Sequence, residues 1–231
     1  MKNKYSNIIL AELENLAEDS YKKFNLKLIP TKQKVLGVRI PALRKIAKRI
    51  AKEDPFEFLK LDKQNIYEMV MLEGMVLSYI NKPFVELLPY TEEFLNKADN
   101  WAHIDSSVAD FKNIKKDKDV VLTIIKKWLK SDKEFVVRAG LIILLGKYVE
   151  EEYLETIFEL SQKVTHEAYY VHMGNAWLIS VCMAKFPEET KAFFKNNKLD
   201  KATHNKAIQK SIESFRVSKE DKEIIRGLKR K

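Results

Sequence analysis

The sequence has little that bends or crosslinks a chain. Its 231 residues include six glycines, six prolines and one cysteine. Gly and Pro together make up roughly 5%, against about 12% in an average protein, too few turn-formers for a many-stranded sheet. The lone Cys182 excludes an intramolecular disulfide and any cysteine-pair zinc site, and it agrees with a reducing compartment. Its flanks, Ser180-Val-Cys-Met-Ala-Lys-Phe186, predict a small buried hydrophobe. No apolar run reaches the roughly 18 residues needed to span a bilayer, and the longest candidate, residues 168–184, contains His172 and Asn175. The N-terminus starts basic, but acidic residues follow a short apolar run too soon for a secretory signal. A cytoplasmic protein without membrane contact is expected. Also missing are a Walker loop, a Rossmann glycine set, His-Glu-x-x-His and a nucleophile elbow, which argues against a nucleotide cofactor. The four histidines, His103, His166, His172 and His204, lie without ligand spacing, so no metal site is expected.

What is present is helical periodicity. Apolar residues recur at three- and four-residue spacing almost everywhere, as in Ile114, Val120, Val121, Ile124, Ile125, Trp128 and Leu129. Ser131-x-x-Glu134 has the form of a capping box opening a helix toward Tyr148, and Pro41, Pro55, Pro83 and Pro187 sit where first turns are expected. The more apolar helices are placed near Pro41, Gln64, Asn100, Lys133, His166 and Ala202. The last four starts are about 33 to 36 residues apart, the scale of a two-helix repeat. Shorter amphipathic partners lie between them, at 83–95, 118–130, 151–164 and 187–196. A pair alone leaves an apolar face wet, and stacked pairs bury it as one core. This predicts an all-α curved solenoid forming one domain over 1–231, with a compact bundle of the same helices as the alternative.

Charge asks for a partner. With 42 Lys and Arg against 33 Asp and Glu, the net charge is +9 and the pI about 9.3. A polyanion, nucleic acid first, fits such a surplus. Basic residues crowd between Lys32 and Arg49, including Arg39, Arg44 and Lys48, and again from Lys206 and Lys210 to the C-terminal tail. Such runs form either a solvated helix face or a phosphate groove, and a repeat array can align separated clusters along one surface.

Two segments carry chemistry-bearing residues. In Asp99-Asn-Trp-Ala-His-Ile-Asp105, Trp101 and Asp105 are four apart, an indole beside a carboxylate on one helix face. In Ala168-Tyr-Tyr-Val-His-Met-Gly-Asn-Ala-Trp177, Tyr170 and Trp177 share a face two turns apart. Composition alone favours both tryptophans as core, with Asp105 a partnered or exposed acid. Arg138 interrupts Phe135-Val-Val-Arg-Ala-Gly-Leu-Ile-Ile-Leu-Leu145. An arginine there reaches solvent, pairs with an acid or meets a phosphate.

Taken in order, Gly37-Val-Arg-Ile-Pro-Ala-Leu-Arg-Lys-Ile-Ala-Lys48, Asp99 to Asp105, Phe135-Val-Val-Arg138 and Ala176-Trp177 resemble the AlkD-type DNA alkylation-repair family of helical-repeat glycosylases. The likeness runs from about Tyr5 to the C-terminus. It implies a right-handed α-α superhelix of HEAT-like repeats wrapping duplex DNA on a basic concave surface. It further implies that Asp105 is the catalytic carboxylate, that Trp101 and Trp177 flank the deoxyribose of the lesion, and that Arg138 holds a neighbouring phosphate. The implied reaction is excision of cationic N3- or N7-alkylpurines from duplex DNA by a monomer, without cofactor and without base flipping. Two other functions remain open on the residues alone: a non-catalytic binder of duplex shape through phosphates, and a helical-repeat scaffold for proteins.

Overall fold

The computed structural model describes residues 2–231, apart from the side chains of residues 2, 3 and 115. Fourteen α-helices and three short 3-10 turns account for the regular structure, with no strand among the described residues. The helices are α1 (Lys2–Asn15), α2 (Asp19–Asn25), α3 (Ile40–Lys52), α4 (Pro55–Leu59), α5 (Tyr67–Tyr79), α6 (Phe84–Lys97) and α7 (Trp101–Asp105). They continue as α8 (Lys118–Trp128), α9 (Glu134–Lys147), α10 (Leu154–Lys163), α11 (Tyr169–Lys185), α12 (Pro187–Lys195), α13 (Lys201–Glu213) and α14 (Lys219–Arg226). The four helices of the expected repeat begin at 101, 134, 169 and 201, and the fold is all-α and helical-repeat in kind. Packing divides the chain into two compact units, 1–121 and 122–231.

In the first unit α5 is the central element. It is apolar around its whole circumference, a pattern that belongs to a buried helix, and every residue from Tyr67 to Ser78 is buried against α3, α6 and α7. Two carboxylates inside it therefore need partners. Glu68 accepts the backbone N–H groups of Leu36 (2.9 Å), Gly37 (2.7 Å) and Val38 (3.2 Å). Gly37 has φ +104°, and a Cβ there would lie 2.6 Å from the Glu18 carbonyl, so only glycine makes this turn. Glu73 is bonded to Lys97 at 2.9 Å and lies 3.8 Å from Lys63. Burial lowers the Lys63 pKa to about 8, while its ammonium donates to the carbonyls of Phe58, Leu59 and Leu61, closing the C-terminal end of α4.

In the second unit α11 packs between α9 and α13, with α10 and α12 alongside. Cys182 is fully buried on α11, and burial pushes its thiol up to about 12. α14 and the tail close this unit. His204 pairs with the Leu228 carbonyl at 2.9 Å, and the Arg230 guanidinium donates to the Asn197 carbonyl at 2.7 Å.

Several local expectations shift. Ser131 is not the N-cap of α9. That position belongs to Lys133, and Ser131 Oγ accepts the Lys133 N–H at 3.1 Å in a turn just before the helix. Glu134, the supposed reciprocal partner, accepts the Tyr170 N–H at 3.0 Å and so satisfies an orphan donor of α11. The helix placed near Gln64 starts at Tyr67 because Gln64 and Asn65 adopt left-handed φ of 52° and 53°. The helix placed near His166 starts at Tyr169, where His166 Nδ1 accepts the Ala168 N–H at 3.1 Å. Pro41, Pro55 and Pro187 occupy first turns, whereas Pro83 is an N-cap. Pro89 lies inside α6, on its exposed side, where the carbonyl of exposed Val85 that it leaves unbonded can be hydrated.

Candidate active site

Asp105 and Trp101 stand at the two ends of α7, a helix of only five residues, so what holds α7 sets their geometry. Asn100 is its N-cap, with Oδ1 accepting from Ala102 N (3.0 Å) and His103 N (3.2 Å). Asp99 fastens this start to a segment almost 70 residues upstream: its carboxylate accepts the Thr31 hydroxyl (2.8 Å) and the Lys32 N–H (2.8 Å). Trp101 Nε1 donates to the Leu28 carbonyl at 3.3 Å. His103 is fully buried between them. Its Nδ1 lies 3.0 Å from Asn100 Nδ2, which donates, and its Nε2 lies 3.1 Å from the Tyr67 carbonyl. The ring also stacks on Tyr67 with centroids 4.7 Å apart. One nitrogen accepts and the other donates, the pattern of a neutral imidazole. Burial in turn lowers its pKa to about 4. The result is a short helix with one apolar, locked side and one side that leaves Trp101 and Asp105 half-exposed.

The basic residues of α3 lie in the same unit. Arg39, its N-cap, makes a bidentate pair with Glu18 (2.8 and 2.9 Å) and lies over the Tyr21 ring at 5.0 Å. The hydrogen bond from Arg39 holds the Glu18 carboxyl below its usual range. Arg44 donates to the Tyr79 hydroxyl at 3.1 Å and pairs with Asp110. Lys48 Nζ stands 5.5 Å from the centre of the same Tyr79 ring. Expected from sequence as phosphate contacts, both arginines therefore already hold carboxylates, and binding a phosphate requires exchanging one anion for another.

The second unit carries the other candidates. Arg138 on α9 is buried, 5% exposed, and runs across the backbone of α11 at Gly174, with Nη1 donating to the Tyr170 carbonyl at 2.6 Å. Trp177, on the otherwise apolar α11, is 37% exposed. Tyr170, two turns earlier, is half-buried, and Tyr169 beside it is exposed with the two rings edge-to-face at 5.1 Å. Lys206 and Lys210, one turn apart on α13, are half-buried. His172 pairs with Thr203 at 2.6 Å, tying α11 to α13.

Residue types and spacing bring Trp101, Asp105, Arg138 and Trp177 forward. They do not bring forward Asp99, Thr31, Glu68 or the packing role of His103, whose distant partners lie 30 to 68 residues away. The doubled acid and amide Asp99-Asn100 ahead of the tryptophan is the one visible signal, since such residues favour caps and turns.

No helix of the described residues is long and apolar enough to cross a membrane. No curated protein matches the chain. A family model described as DNA alkylation repair enzyme matches residues 9–212, a span that contains every candidate residue above. With its substrate DNA and its role alkylation repair, the chain belongs to the DNA alkylation repair enzyme family.

Proposed function

We propose that this protein is a glycosylase that releases cationic N3- and N7-alkylpurines from duplex DNA, acting as a monomer without metal, cofactor or base flipping. The N-glycosidic bond breaks with its electron pair passing to the purine, which leaves neutral. The deoxyribose becomes oxocarbenium-like, water adds at C1′, and the water's proton goes to solution. The leaving base is already positive, so no general acid is needed, and the group to be stabilised is the sugar. A carboxylate about 4 Å from that charge, at an effective dielectric near 20, contributes roughly 4 kcal/mol, about a thousandfold in rate. In this reading Asp105 supplies that charge. Trp101 and Trp177 contribute cation–π attraction of about 1–2 kcal/mol where water is excluded. Arg138 holds a phosphate beside the lesion, which requires duplex binding to uncover a residue that is 5% exposed and whose guanidinium donates to the Tyr170 carbonyl. Arg39, Arg44, Lys48, Lys206 and Lys210 contact the backbone of the duplex.

The observation that carries the reading is how the three tryptophans divide. Trp128 is core, 3% exposed, as a tryptophan in a helical repeat ordinarily is. Trp101 and Trp177 are left partly in solvent, and Trp101 shares its helix with a half-exposed carboxylate. Aromatic faces kept accessible cost hydration, and a ligand that covers them recovers it.

The test is release of free base from duplex containing 7-methylguanine. Wild type should release it, and Asp105→Asn should be slower by about a thousandfold at unchanged duplex affinity. Tight duplex binding without release from N7 or N3 lesions would instead establish the non-catalytic reading, in which Asp105 is dispensable.

A further inference from the structure

Three residues past the span matched by the family model, the chain presents an aromatic ring entirely to solvent. Phe215 is 103% exposed, more open than any other large apolar side chain described. It stands in the loop between α13 and α14, and that loop is anchored at both ends. Ser214 Oγ accepts the Arg216 N–H at 3.2 Å, and Val217 beside it is buried. Ser218 caps α14 through the Asp221 N–H at 3.0 Å, and Asp221 pairs with Lys191 of α12 at 2.6 Å. The ring is therefore held out from a fixed turn, where hydration of an unburied phenyl group is unfavourable and no intramolecular contact offsets it.

Its surroundings are cationic. Arg216 and Lys219 follow it at one and four residues, both exposed, and residues 210–231 hold eight Lys and Arg against four Asp and Glu. An apolar side chain flanked by basic residues is the arrangement with which proteins enter a stack of base pairs, the ring replacing base stacking while the cations neutralise the adjoining phosphates. A second copy of this basic chain offers no such charge complement, and an acidic protein surface offers no stack of bases for the ring to enter. We propose that Phe215 is a DNA-stacking residue that inserts at a base step of the bound duplex, with Arg216 on a neighbouring phosphate. The inference rests on DNA being the substrate and does not depend on the glycosylase reading.

The experiment measures binding of the full chain to undamaged duplexes in which a single 2-aminopurine is moved through successive positions. Phe215→Ala removes no packed contact, so its melting temperature should match wild type. It should weaken binding about tenfold, the loss expected for one aromatic stacking contact, with the salt slope unchanged, and Phe215→Trp should restore it. One aminopurine position should brighten on binding wild type or Phe215→Trp, and stay dark with Phe215→Ala. Arg216→Ala should reduce the salt slope by about one. A Phe215→Ala affinity within twofold of wild type overturns the proposal, as does an aminopurine signal that persists in that variant or is missing from wild type. Failure of base release alone leaves it standing, whereas failure of wild type to bind duplex removes it together with the duplex substrate.

Discussion

His103 is the residue whose chemistry is most altered by its place in the chain. Its ordinary pKa is 6.5, and burial beneath α7 takes it down to about 4. Between those values the unfolded chain carries a proton that the folded one does not. The stability contributed by the neutral ring is therefore complete above pH 6.5 and is lost as pH falls toward 4. A shift of this size corresponds to about 3 kcal/mol. His103→Gln keeps a donor for the Tyr67 carbonyl but does not titrate. The advantage of wild type over that variant in unfolding free energy, read from denaturant titrations, should shrink by about this amount between pH 6.5 and 4, and a constant difference would count against the neutral, two-partner ring. Single residues are legible in the sequence where their type alone decides environment: Cys182 among apolar neighbours is buried as expected. They are not legible where a distant partner decides. Arg39 and Arg44 read as free cations because Glu18 and Asp110 lie 21 and 66 residues away.

At the scale of elements, α7 departs most from its expected form. Periodicity near Asn100 suggests a helix like its neighbours, yet it ends at Asp105 and gives way to 3-10 turns. So short a helix cannot persist on its own hydrogen bonds and depends on its cap and on the Asp99 tether to Thr31 and Lys32. Asn100→Ala should cost about 1–2 kcal/mol in thermal or denaturant stability. Because the same cap aims Trp101 and Asp105, it should also lower the rate of base release more than duplex affinity. An equal loss in both would separate the cap from the site. Longer helices are legible from periodicity, since α3, α9, α11 and α13 begin within three residues of their expected starts. Caps are less so, because a Ser-x-x-Glu pattern is compatible with a turn that precedes the helix, and Ser131 makes one.

For the whole molecule, the surplus charge is uneven. Residues 1–121 hold 21 Lys and Arg against 18 Asp and Glu, and residues 122–231 hold 21 against 15, so the second unit carries two-thirds of the net +9. The family match runs through both units, and the helical-repeat class is legible in the spacing of about 33 residues between apolar helices. The substrate's charge is legible in the same way; the proposed chemistry at the sugar is not, because it would rest on a single carboxylate. The measurement that reaches this carboxylate most directly compares two duplexes, one with a protonated pyrrolidine in place of a deoxyribose and one with a neutral tetrahydrofuran. Wild type should prefer the cation by about 100-fold or more, as a carboxylate facing C1′ requires, and Asp105→Asn should reduce the preference to a few-fold. Equal affinity of wild type for the two duplexes, or a preference untouched by Asp105→Asn, would contradict the assignment of Asp105 to the sugar.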